Sequence, residues 1–221
     1  MRIAVCSIAL LFSIAAADVA AQPSPVRPPA ETLAGAQRAA REALNTFAQL
    51  VTPENARDMG FEKPDEVRSA TVGAPLPEFQ VRLDELQGYA AGANPARLLH
   101  ETELFLFPVL VGERVRSSLT IQHERGSFKA VAFGAPRFMR HASEVVAKIP
   151  GAAERRGESA FLVRIPALNV FFVAFRDGDR LLFASVLDDS RFDLKSGEPV
   201  PAEKVLERLV PAAKEHKGLP S

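Results

Sequence analysis

The chain has 221 residues, 27 basic and 27 acidic side chains, and a single cysteine. That length suits one domain or two small ones sharing a core, and 47% hydrophobic against 24% charged residues excludes a disordered or fibrous chain. The even charge balance excludes the basic footprint of a nucleic-acid-binding domain, and 15 Phe against one Tyr and no Trp puts most of the rings, which lack a polar handle, in apolar contacts.

Residues 1–21 have the three parts of a secretory signal peptide. Arg2 supplies the positive start, Ile3 to Ala17 the apolar stretch, and Val19-Ala20-Ala21 the small-residue cleavage pattern ahead of Gln22. Cleavage is expected after Ala21, with a cut after Ala17 as the competing site. The apolar stretch is shorter than the ~20 residues of a spanning helix, so no membrane span is expected after cleavage. Cys6 precedes the apolar stretch instead of following it, which argues against lipidation. Its loss leaves a mature chain with no thiol for a disulfide, a nucleophile or a metal. The sequence therefore predicts a periplasmic or secreted protein held together by packing.

Residues 22–30 (QPSPVRPPA) form a proline-rich linker, extended and semi-rigid. Residues 31–65 form an N-terminal helical segment. Leu33, Ala36, Ala40, Leu44, Phe47 and Val51 recur at helical spacing, and Arg38 and Glu42 pair across one turn of the polar face. Thr52-Pro53 predicts a second, short helix that stops at Gly60.

The first strands-plus-helix unit covers 66–150. Phe79, Val81 and Leu83 alternate with Gln80, Arg82 and Asp84 as a half-buried strand does. Asn94-Pro95 predicts a capped helical turn. A meander follows, with strands at 103–111, 114–122 and 127–133, and then a helix from Pro136 to Ile149. Pro108 inside the first of these strands predicts an edge or a bulge.

The second unit covers 151–221. Strands are expected at 159–165, 170–176 and 181–187, the last two joined by the hairpin signal Asp177-Gly178-Asp179. A final helix begins at Pro201, with Pro211 expected to kink or shorten it. The fold class is α+β: an N-terminal helix followed by two antiparallel meander or hairpin-plus-helix units, helices packed on the sheet, with 31–221 as one body. Phe107-Pro-Val-Leu-Val-Gly and Phe172-Val-Ala-Phe-Arg-Asp-Gly sit at matching points of the two units, as an internal duplication would place them.

No catalytic motif is present. Gly157-Glu158-Ser159-Ala160-Phe161 lacks the second glycine of a nucleophile elbow. His100, His123, His141 and His216 show no ligand spacing, and Leu104 stands where His100-Glu101 would need a second histidine. Asp188, Asp189 and Asp193 lack the alternation of a calcium loop. No metal and no cofactor are expected.

What asks for an explanation is apolarity on both faces of two strands, 104–111 and 170–175. A helix over each face accounts for it. The sharper reading makes one face a binding surface, with Phe105, Phe107, Phe171, Phe175 and Phe183 as candidate contacts for a protein partner or a small apolar ligand. The sequence thus reads as an exported, non-enzymatic binding module. Two alternatives stand beside it. One is an exported hydrolase whose site assembles in space, for which His100 or His141 must lie within about 3 Å of a serine or carboxylate. The other is a structural envelope component whose apolar face joins copies of the chain.

Overall fold

A computed structural model describes residues 28–149 and 160–216; the expected signal peptide, linker residues 22–27 and the Gly157-Glu158-Ser159 part of the elbow-like segment lie outside the described residues. The chain is a mixed α/β protein built on one large, mostly antiparallel sheet with a few helices.

Helix α1 is Ala30–Leu50 and buries Gly35, Ala36, Ala40, Ala43 and Phe47, a stripe at three- and four-residue spacing. The small residues let it lie close to its neighbours; a Cβ on Gly35 would meet the Phe128 ring at 2.3 Å. The short helix expected after Thr52 is a run of turns instead. Asn55 reaches back as in a capping box, its side chain accepting from the Thr52 N–H at 2.7 Å and donating to the Leu50 carbonyl at 2.9 Å. Beyond it the backbone bonds step by three, four and five residues (Gly60 to Arg57, Met59 to Asn55, Phe61 to Ala56), so no continuous helical ladder forms.

Nine strands follow among the described residues: β1 Thr71–Val72, β2 Leu76–Gln80, β3 His100–Val111, β4 Arg114–Glu124, β5 Ser127–Phe133, β6 Phe161–Ile165, β7 Val170–Asp177, β8 Arg180–Ser185 and β9 Pro199–Pro201. Three helices punctuate them: α2 Leu83–Gln87, α3 Pro136–Ala147 and α4 Ala202–Glu215. The strand expected to run to Leu83 ends at Gln80, and Leu83 opens α2, whose first turn carries Asp84 and Glu85 where the helix dipole favours acids. Asn94 caps the next turn as expected, its side chain accepting from Ala96 N–H. α4 continues through Pro211 to Glu215.

The strand order is β5-β4-β3-β2-β6-β7-β8-β9, with β1 beside β3. Every pairing between these strands is antiparallel except β2 with β6, which are parallel. β2 to β5 therefore run outward one way from a parallel seam, and β6 to β9 run outward the other way. Pro108 is not on an edge, because β3 is paired on both sides. It falls opposite the break between β1 and β2, where its carbonyl accepts from Gly73 N–H at 2.8 Å and its missing N–H goes unneeded.

Helices cover the sheet unequally. On the first face α1 seals Phe105, Phe107, Val109, Leu119 and Ile121, and α4 seals Phe161, Val163, Phe172 and Phe183. On the second face, among the described residues, α3 is the one helix, and it packs Met139, Ala142 and Val145 over Leu106, Leu162, Val173 and Phe175. Each Å² of apolar surface so removed from water contributes roughly 25 cal/mol.

Candidate functional site

The five candidate phenylalanines separate by position. Phe105 and Phe107 lie under α1, Phe183 lies under α4, and Phe175 lies under α3, all with at most 4% of their surface exposed. These four rings are core, since a side chain already surrounded by apolar neighbours has no surface left to offer a partner. Phe171 differs. It is half-buried on the second face, where Phe138 of α3 meets it edge-on at 5.1 Å and the Arg164 guanidinium lies 5.6 Å from its ring centre.

Register shows what surrounds Phe171. Gln80 pairs with Arg164 and Arg164 with Phe171, so the three side chains form one row across the seam. Leu104, Gln122 and Lys129 form a second row, and Thr120 and Ala132 belong to a third. Paired residues share a face, and the parity of these positions puts all of them on the second face. Every one is half-buried or exposed. Among the described residues, then, α3 leaves uncovered a strip that mixes Leu104, Phe138 and Phe171 with Gln80, Gln122, Lys129 and Arg164.

Glu78 is the strip's buried acid. It lies between Leu76 and Gln80 on β2, 6% exposed, next to the parallel seam. Burial raises its pKa above the usual carboxylate value, and nearby Arg164 and the Thr102 hydroxyl offset part of that. A strand irregularity accounts for the setting. Pro77 opposes Phe105 while Phe79 opposes Glu101, so β3 carries extra residues here, and Glu103 among them takes a left-handed φ of 59°. Thr102 Oγ1 then donates to the Glu78 carbonyl at 3.0 Å. Such bulges re-aim side chains, and a non-glycine residue at positive φ is a local cost borne by the surrounding structure.

The histidines give one close pair. His100 Nε2 lies 2.5 Å from Glu85 Oε2, both about one-third exposed, and His141 Nδ1 lies 3.6 Å from Glu144 on an exposed helix surface. His123 stacks on Phe128 at 4.5 Å. No serine or threonine hydroxyl among the described residues hydrogen-bonds His100. Asp189 is committed to Arg191, whose guanidinium holds its carboxyl below the ordinary value, and Asp188 accepts from Ser196 N–H. No group of three or more metal-ligating side chains occurs among the described residues.

Two hollows flank the second half, one of about 90 Å³ beneath α4 and one of about 190 Å³ beside Phe171, Leu187 and Arg191. Both are smaller than the 300–1,000 Å³ typical of sites that engulf a small molecule. Among the described residues no helix is long and apolar enough to cross a membrane.

Comparison with protein-family models, with curated proteins and with solved structures found no match. The sequence pointed to Phe171 but not to its setting. Phe138 reads as one of several apolar positions on α3, and nothing in the sequence singles out Glu78. The available signal was polar residues at second-face positions: Gln80 on β2, Arg164 on the otherwise apolar β6 and Gln122 on β4.

Proposed function

We propose that this chain is an exported, non-enzymatic binding module, and that its partner is a protein seated on the strip of the second face beside α3. One observation carries the reading: the first face is sealed by two helices, while the second leaves Leu104, Phe138 and Phe171 half-open among hydrogen-bonding and cationic side chains. An apolar centre with a polar rim is how protein interfaces are built. The hollow beside Phe171, about 190 Å³, is too small to engulf an apolar ligand, which favours a protein at this strip. Export rests on the sequence of residues 1–21, and the two strand runs are read as one unit repeated, each running outward from the seam.

Single polar substitutions test the site. Phe171→Ser is expected to stay folded and lose its partner, whereas Phe183→Ser is expected to unfold. Retained partner capture by Phe171→Ser, with a normal yield of folded protein, would overturn the strip as the site.

The His100–Glu85 contact favours a second reading, the hydrolase, because a carboxylate orients and polarises an imidazole in acyl-transfer sites. If it holds, the chain cleaves activated esters and His100→Ala abolishes that cleavage. Equal background rates for parent and variant remove it.

A further inference from the structure

On the opposite flank of α3 from Phe171 lies a wide groove of about 380 Å³, lined by Arg114, Arg116 and Arg140 with Val115, Ser143 and Ala147. We infer that it binds the phosphate group of a small phosphorylated ligand. Three features argue for this.

The first is concentration of charge. Three guanidinium groups share one lining in a chain whose overall charge is zero, and Glu144 is the lining's one acid. Glu144 is already drawn to His141, 3.6 Å away. Glu62 lies close by; it accepts from Arg116 at 2.8 Å and feels Arg114, but it is two-thirds exposed, at the rim of the groove. Arg114 and Arg140 form no ion pair among the described residues and stand exposed.

The second is that the backbone is reshaped to deliver Arg116. Val109 opposes Ser117 and Leu110 opposes Val115, so Arg116 is the extra residue of a bulge in β4. The loop at Gly60 clamps this bulge. Gly60 has a φ of 96°, and a Cβ there would fall 1.8 Å from the Arg116 carbonyl oxygen. A bulge re-aims one side chain out of the strand's alternation, and here that side chain is cationic.

The third is an unanswered donor. Arg116 Nε is buried and has no hydrogen-bond partner. A buried N–H without an acceptor is costly, and a small swing of the guanidinium toward the groove would let a phosphate oxygen answer it. Planar guanidinium groups hold phosphate oxygens through paired N–H donors, and the Ser143 hydroxyl adds one more donor on the α3 side. The groove's volume lies within the range of small-molecule sites and exceeds what a phosphate alone fills, leaving Val115 and Ala147 to contact the rest of the ligand.

The test is a titration of the whole chain with inorganic phosphate and, separately, with glycerol 3-phosphate, followed by amide ¹H–¹⁵N spectra. Saturable shifts are expected at 114–116 and 140–147. Arg114→Glu and Arg140→Glu, both at exposed positions, are each expected to weaken binding about tenfold or more, while Arg97→Glu at the far end of the sheet leaves it unchanged. Tighter binding of glycerol 3-phosphate assigns the ligand body to Val115 and Ala147; equal binding of the two probes confines recognition to the phosphate. No saturable shift with either probe overturns the proposal, as does equal weakening by Arg97→Glu, which would reduce the effect to general surface charge.

Discussion

The two halves of the sheet have the same outward strand order and differ in what covers them. β7, in the second half, lies between α4 and α3, and Phe172 and Ala174 on one side are as buried as Val173 and Phe175 on the other. β4, in the first half, has Leu119 and Ile121 sealed beneath α1, while Thr120 and Gln122 on its other side stay half-open. A strand's composition follows its cover: β7 reads VFFVAF, and β4 alternates. The difference teaches that, among the described residues, the face with one helix fewer keeps part of the sheet available, and that this part runs from the first half across the seam to Phe171 on β7.

The strongest way to break the comparison is in the core. Phe107→Ala and Phe183→Ala, one from each half, should each cost about 3–5 kcal/mol of unfolding free energy, as deletion of a fully buried ring does. Urea titration of each variant checks it. A loss below about 1 kcal/mol at either position would mean that its ring is not enclosed as the packing implies.

Gly60→Ala comes next. It forces a Cβ into a positive-φ residue and onto the Arg116 carbonyl, so a loss of at least about 1–3 kcal/mol is expected. Thermal unfolding reads this directly, and an unchanged melting temperature would show that the loop is not clamped to the β4 bulge.

Glu78 sharpens the comparison at the seam. Its pKa is raised in the folded chain, so folding takes up a proton between the unfolded and folded values. Its contribution to stability is then full below the unfolded value and is lost as pH rises through the folded one. Glu78→Gln keeps the shape of the protonated acid. The variant is expected to match the parent in acid, exceed it at neutral pH and lose that part of the pH dependence, as unfolding titrations across the pH range would show.

The smallest effect belongs to the exposed hairpin. Arg180 and Asp177, 3.1 Å apart and both about two-thirds exposed, form the kind of surface pair worth about 0–1 kcal/mol. Arg180→Ala should shift the denaturant midpoint hardly at all.

Much of this architecture was readable from local pattern. The hairpins β3–β4, β4–β5 and β7–β8 follow from Gly112, Gly126 and Gly178, each at positive φ in its turn, α1 follows from helical periodicity, and α3 and α4 follow from the prolines at their starts, Pro136 and Pro201. The parallel seam was not readable. β2 and β6 are separated by some eighty residues, and neither a turn nor an alternation marks one strand as the other's neighbour. The candidate site was half-legible for the same reason. Runs of Phe were visible, but whether a ring is core or surface depends on which helix lies over it, and that is set by contacts far apart in sequence. Phe171 and Phe172 are adjacent on β7, point to opposite faces and differ in exposure; no composition rule separates them.

The central claim is that the strip beside α3 is where a partner sits. It is tested most directly by placing a photoreactive residue at Gln122, on the strip, and in a second variant at Arg41, on the exposed side of α1. Both variants are expressed in cells that export the chain, illuminated, and their adducts mapped by mass spectrometry. The account predicts a discrete protein adduct from position 122 that Phe171→Ser abolishes, and none from position 41. Adducts from position 41 with none from 122 would place the partner on the helix-covered face and contradict it.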